Sequence, residues 1–148
     1  MSIANETIRL LENRVSIRRF SDKPVEPHII DTVLHAAFRA PTSSNIQAYS
    51  VIVVRNPDTK ASLRAVTGNQ QHVLHAPVFL AFCADLTRIE YATKKNGHNI
   101  ENNNLEIGLV SSLDAALVGM SAYLAAESTG LRGVMIGAVR NNALETAR

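Results

Sequence analysis

The stretch "LEIGLVSSLDAALVGMSAYLAAESTG", Leu105 to Gly130, constrains the fold more than any other part of the chain. It is apolar for long enough to be a helix that needs either lipid or a protein core around it. Glu106, Asp114 and the interior serines Ser111, Ser112 and Ser121 make a bilayer an expensive surrounding for it. The segment therefore reads as a buried core helix, and no membrane partner is expected. A chain of 148 residues, 46% of them hydrophobic, fills one sizeable core, so a single domain over residues 1–148 is expected.

Within this helix the small residues Gly108, Ser112, Ala115, Gly119, Ala122 and Ala126 step by four and three, which places them on one stripe where two backbones approach closely. Two partners fit such a stripe: another element of the same core, or a second subunit. The remaining segments alternate in period. Residues 5–14, with Ile8, Leu10 and Leu11, read as a short helix. In "KPVEPHIIDTVLHAAFRAP", Pro27 marks a helix start, Ile29, Ile30, Val33, Leu34, Ala37 and Phe38 recur at helical spacing, and Pro41 forces a stop. "YSVIVVR", Tyr49 to Arg55, is β-branched and bounded by Asn56 and Pro57, which reads as a central strand followed by a helix to about Val66. "PVFLAFCAD", Pro77 to Asp85, reads as a second buried strand, residues 94–104 as an exposed loop, and "LRGVMIGAV", Leu131 to Val139, as a third strand. Such alternation gives an α+β or α/β class.

Lys and Arg total 15 against 13 Asp and Glu, a formal net charge of +2 that forms no broad basic face, so no nucleic-acid partner is expected. Cys83 is the single cysteine; it reads as packing within an apolar run, and a cytoplasmic location agrees with its lack of a disulfide partner. The opening "MSIANETIRLLENR" lacks a continuous apolar stretch after a basic start, so no signal peptide is expected there. His28, His35, His72, His75 and His98 show no metal-ligand spacing with carboxylates or with Cys83, and no metal site is expected. His72 stands apart only because it lies beside the polar segment "TGNQQHV".

Charge is concentrated in "RVSIRRF", Arg14 to Phe20. In an extended segment Arg14, Ser16 and Arg18 point to one side and supply charge-assisted donors, for which phosphate is the natural ligand and a solvated or carboxylate-paired face the plainer alternative. "APTSSNIQ", Ala40 to Gln47, offers hydroxyls and amides between a helix and a strand, suited either to a sugar-like chain and a heterocycle edge or to an ordinary capped loop.

The order "RVSIRRF", "APTSSNIQ" before a strand, "TGNQQHV", "FCADLTR" and "AAESTGLRGVMIGAVRNN" resembles the FMN-dependent nitroreductase family, and within it the branch of oxygen-insensitive, NADPH-preferring nitroreductases and flavin reductases. The resemblance covers nearly the whole chain. It implies an α+β nitroreductase-like fold with a central mixed sheet flanked by helices, a homodimer, and FMN as cofactor. Carried over by position, it implies that Arg14 and Ser16 lie near the FMN phosphate, and that Arg18 lies nearer the ribityl chain or pyrimidine. It further implies that Thr42, Ser43 and Ser44 line the isoalloxazine and ribityl from the same or the neighbouring subunit, that Gln70 reaches the flavin's polar edge, and that Ile136 and Gly137 present backbone close to the ring. Family members often carry Arg where this chain has Val15.

The activity implied is an FMN-dependent NAD(P)H oxidoreductase. NADPH passes hydride to FMN and leaves, and a nitroaromatic, quinone or flavin then takes two electrons in the same site, a ping-pong order that calls for no catalytic side chain. Members of the family continue beyond "NNALETAR" through a further strand, a basic "K-x-R"-like segment and C-terminal helices. The chain is therefore expected to hold the N-terminal portion of the family domain. The alternative is a truncated, non-enzymatic homodimeric module that binds FMN weakly or not at all.

Overall fold

The computed structural model describes residues 5–101 and 103–147. Two compact units emerge, the first formed by Met1–Ile30, Val53–Leu80 and Ala126–Arg148, the second by Asp31–Ile52 and Ala81–Ala125. The elements follow the order α1 (Glu6–Asn13), α2 (Pro27–Ala37), a 3-10 turn (Ser43–Asn45), β1 (Tyr49–Val54), α3 (Pro57–Val66), α4 (Gln71–His75), β2 (Phe79–Ala84), α5 (Thr87–Lys95), α6 (Leu105–Ser128), a second 3-10 turn (Ala138–Asn142) and α7 (Ala143–Thr146). The class is α+β, and the expected mixed sheet is represented among the described residues by one pair, β1 with β2. The pair is antiparallel: the Asp85 N–H just after β2 donates to the Ala48 carbonyl just before β1, at 3.0 Å.

In the first unit, α1 and α3 start where side chains satisfy orphan N–H groups of the first turn. Asn5 Oδ1 accepts from Ile8 N–H at 3.0 Å, and Asn56 Oδ1 accepts from Thr59 N–H at 3.0 Å, with Pro57 in the first turn of α3. The helix α3 packs against α4, α7 and the second 3-10 turn. Lys60, buried on α3, donates from Nζ to Ala76 O at 2.8 Å and so ties the end of α4 to α3. The last turn of α6 is closed by a Schellman motif: Leu131 N–H donates to Ala126 O and Gly130 N–H to Glu127 O, both at 3.0 Å, with Gly130 at φ +86°.

After Gly130 the expected third strand does not form. Residues 131–137 carry no strand, and Ala138–Asn142 is a 3-10 turn. Gly133 and Gly137 weaken the β-preference of this stretch, which is joined to the arginine segment by Ile17 N–H donating to Gly133 O at 2.9 Å.

The second unit is built on α6. Ala115, Val118 and Ala122 are buried with Val33 and Ala37 of α2, Ala48 and Tyr49. Gly119 faces the Phe82 ring, whose Cγ lies 3.4 Å from where a Cβ would sit, so the small-residue stripe around Gly119 serves a contact inside this unit. Gly108 and Ser112 of the same stripe are exposed. The opposite side of α6 carries Leu105, Leu109, Leu113, Leu117 and Met120 into solvent. By length and composition α6 is apolar enough to cross a membrane, but it also buries Ser111 and Asp114, as a core helix does when its polar groups find partners.

The helix α5 lies in a stretch for which the sequence carries no apolar stripe and sets no expectation; it runs two residues into the expected loop of residues 94–104, most of which stays without helix or strand. Asp85 accepts from Thr87 N–H at 2.9 Å at the start of α5, and Lys94 pairs with Glu90 at 2.9 Å four residues apart. Tyr91 in the middle of the helix is 71% exposed, and no residue of α5 is fully buried. Strand β2 is half-buried rather than buried, and Cys83 with it. Burial first, and Asp85 second, push the Cys83 thiol above its usual range, which disfavours the reactive thiolate.

Candidate functional site

In the first unit the chain leaves α1 at Arg14 in extended backbone, φ −63° and ψ 123°, and is neither helix nor strand through Phe20. Within this segment Ile17 N–H donates to Gly133 O at 2.9 Å. Arg14 is half-buried, and Ser16 and Arg18 are exposed. The bond from Ile17 sets the arginine segment alongside the stretch that holds Ile136 and Gly137. Arg18 also stands close enough to His72 to act on its charge. Burial of the imidazole, and next the Arg18 guanidinium, lower the His72 pKa below its ordinary 6.5, so the neutral ring is favoured. The buried Nε2 of His72 has no hydrogen-bond partner among the described residues.

Three of the sequence clusters thus meet in this unit: the arginines, the "TGNQQHV" segment and the stretch after α6. Gln70 is half-buried and donates one amide N–H to Thr67 O at 2.8 Å, leaving its second N–H and its oxygen for another partner. Around it the backbone is folded tightly, with Gly68 at φ +75° and Asn69 at φ +56°. Ile136 is half-buried and Gly137 exposed. The space that a Cβ on Gly137 would need is taken by Arg140, whose Nη2 lies 3.0 Å away, so glycine there admits a guanidinium. Arg140 carries no signal in the sequence beyond being one more arginine, and its placement depends on the 3-10 turn that replaces the expected strand.

In the second unit, the loop from Thr42 to Ala48 has an unusual backbone. Ser44, Asn45 and Gln47 have φ of +49°, +56° and +54°. For residues with a Cβ this conformation costs about 1 kcal/mol each, less for Asn, and such strain persists only where the surroundings impose it. Asp114, 1% exposed on α6, imposes it here: Oδ1 accepts from Ser43 N–H at 3.0 Å and Oδ2 from Ala48 N–H at 3.1 Å. Arg88 adds a third tie from Nη2 to Gln47 O at 2.5 Å, its guanidinium lying over the Tyr49 ring. Thr42 is half-buried and Ser43 and Ser44 are exposed, and their hydroxyls take part in no hydrogen bond among the described residues. The sequence marks Asp114 only as an acid inside an apolar helix, and nothing in its spacing shows that its partners are two backbone amides.

At the end of β2, Asp85 accepts from Ser50 Oγ, Thr87 Oγ1 and Thr87 N–H. These bonds, with a smaller contribution from Arg88, bring the carboxyl group down to about 2. A depression of about 370 Å³ in the first unit, bounded by Asp22, Arg55, Lys60 and His75, contains none of the expected site residues. Neither does one of about 340 Å³ in the second unit, formed by Phe38, Gln47, Tyr49 and Arg88. Among the described residues no group of three or more His, Cys, Asp or Glu side chains is placed to hold a metal ion.

The model of the nitroreductase family matches residues 11–147. A Bacillus subtilis protein named FMN reductase (NADPH) is 41% identical over 139 residues, covering 93% of this chain and 56% of the relative. An oxygen-insensitive NADPH nitroreductase of Salmonella typhimurium is 37% identical over 141 residues, covering 92% of this chain and 55% of that protein. The structure of NADPH:FMN oxidoreductase from Vibrio harveyi, complexed with NAD+, superposes with a TM-score of 0.90 at 32% identity over 96% of this chain and 60% of its own. The chain thus spans a little over half the length of the curated relatives that it matches.

Proposed function

We propose, on the premise that this chain belongs to the nitroreductase family, that it carries the FMN-binding part of an NAD(P)H-dependent oxidoreductase acting on nitroaromatics, quinones or flavins. The observation that carries this reading is the cluster of Arg14, Ser16 and Arg18 in the first unit, joined to the stretch of Ile136 and Gly137 through Ile17 and Gly133 and close to His72. Ser16 and Arg18 have no hydrogen-bond partner among the described residues. A phosphate dianion needs such charge-assisted donors. Arg14, Ser16 and Arg18 hold the phosphate and ribityl chain. The free N–H of Gln70 reaches the pyrimidine edge, where donors stabilise the negative charge that grows on reduction. Ile136 and Gly137 border the ring, and Thr42, Ser43 and Ser44 offer hydroxyls to a flavin bound by the same chain or by its partner. When bound, FMN supplies the redox chemistry, taking hydride from NAD(P)H and passing two electrons to the acceptor in ping-pong order. No side chain acts as nucleophile or general base.

The same reading makes residues 1–148 a single nitroreductase-like domain, the N-terminal portion of the family domain, cytoplasmic and homodimeric through the exposed leucine side of α6. A second reading, a homodimeric module that binds FMN weakly or not at all, is favoured by one observation. Ile52 and Val53 of β1 stay exposed in a sheet of two described strands.

An absorption spectrum before and after FMN addition and desalting, followed by NADPH oxidation, tests the proposal. Retained flavin bands that fall sharply in the Ser16→Ala, Arg18→Ala double variant, with FMN-saturable turnover above that of free flavin, support it. A colourless protein with no such turnover leaves the second reading.

A further inference from the structure

The strained loop of the second unit calls for an account of its own, because nothing in its sequence makes it adopt three left-handed residues. Glycine, the residue suited to positive φ, is absent from Thr42 to Ala48. The loop is instead bracketed by its first and last amides, Ser43 N–H and Ala48 N–H, which donate to the two oxygens of one side chain, Asp114. That side chain is fixed in turn: it projects from the buried face of α6, flanked by the buried residues Ser111, Ala115 and Val118, and is itself almost wholly excluded from water. With both carboxyl oxygens committed, the spacing between the two amides is set by the width of the carboxyl group. The residues between them, Ser44 to Gln47, must bulge outward within that span. The result exposes the hydroxyls of Ser43 and Ser44 while their backbone is held from below.

We infer that Asp114 is a positioning residue: it clamps both ends of the Thr42–Ala48 loop in its high-energy shape, and thereby pre-forms the hydroxyl display that a polar ligand meets. The identification of that ligand as FMN rests on the function proposed above, while the clamp itself does not. Arg88, which donates to Gln47 O, is a secondary tie that holds the left-handed Gln47 from the side of α5. A pre-formed loop binds without the ordering cost that a mobile one would carry, so the clamp acts on affinity although Asp114 touches no ligand.

Amide hydrogen exchange on the whole chain without flavin tests the clamp alone. In the wild type, Ser43 and Ala48 are expected to exchange slowly for loop residues, and exchange at ordinary loop rates overturns the inference even if no variant folds. In Asp114→Asn, whose amide group turns a donor toward one of the two N–H groups, both amides are expected to exchange at least about tenfold faster. Val118 on the next turn of α6 serves as the control that the core remains intact.

FMN titration of the same proteins tests the link to function, with a dissociation constant raised about tenfold in Asp114→Asn. Adding Asn45→Gly to Asp114→Asn relieves one left-handed residue and is expected to recover part of the lost affinity, which a purely core-packing role of Asp114 would not produce. Accelerated exchange with unchanged FMN affinity, or no recovery by Asn45→Gly, refutes the positioning role. If slow exchange is found in a wild type that binds no FMN, the clamp stands and the flavin reading fails.

Discussion

Leu109, Leu113 and Leu117 recur every four residues along the exposed side of α6, and the homodimer proposed for this family member places a second copy against them. Leu113 at the centre is 60% exposed. Full burial of a leucine side chain contributes about 2 kcal/mol, so covering the exposed part contributes roughly 1 kcal/mol, and in a two-fold dimer the residue counts twice. Leu113→Ala should therefore weaken the dimer by about 2 kcal/mol, a rise of about thirtyfold in its dissociation constant. Because the side chain makes few contacts within its own chain, the stability of the monomer should move by no more than about 0.5 kcal/mol. Sedimentation velocity across a dilution series gives the first quantity, and urea unfolding far below the dimer midpoint gives the second. A wild type that is monomeric at every concentration, or a variant with an unchanged midpoint, refutes the assignment of this face to self-association.

Val118, fully buried although next in sequence to the exposed Leu117, should show the reverse behaviour: Val118→Ala costs about 2 kcal/mol of monomer stability in urea unfolding, through lost burial and the cavity left behind. The Asp85 carboxyl is held at about 2 against 3.8 in the unfolded chain, so its contribution is complete above pH 3.8 and is lost as pH falls from there toward 2. Asp85→Asn should flatten the stability profile in that window, and a profile unchanged by the substitution contradicts the bonding described. His72 is lowered below 6.5, so its contribution is present above pH 6.5 and is lost as the pH drops below that value and the ring is protonated. In an NMR titration, Arg18→Ala should raise the His72 pKa, as should inorganic phosphate if it binds at Arg18; no change with Arg18→Ala would mean that the two groups do not face each other.

Much of the element order is legible in the sequence because apolar periodicity reports burial. Pro27 and Pro57 mark helix starts that form as expected, and Val33 and Ala37 occupy the core that their spacing requires. What burial does not decide is harder to read. The helix α5 hides its identity behind polar residues because Asp85, Glu90 and Lys94 stabilise it locally, a signal present in the sequence as a capping acid and a four-residue charge pair. "LRGVMIGAV" misleads for the opposite reason. Its apolar content matches a strand, but strands are made by neighbours; the segment is joined to the arginine stretch by Ile17 N–H donating to Gly133 O, and its end winds into the 3-10 turn that packs against α3.

At the candidate site, residues whose chemistry resides in their side chains, such as Arg18 and Gln70, are visible in the sequence. Those whose role is to hold backbone, Asp114 above all, are not, because a hydrogen bond to an amide leaves no mark on the identity of the residue that donates it.

The Schellman cap at Gly130 has a reach far beyond the helix that it ends. Its single left-handed dihedral decides the direction in which residues 131–137 depart, and with it where Gly133 O comes to rest. That oxygen is the peg on which Ile17 hangs, and the side chains of Ser16 and Arg18 take their phase from Ile17. A change of one torsion more than a hundred residues away in sequence would therefore turn the arginine face like a key in a lock, without altering any arginine.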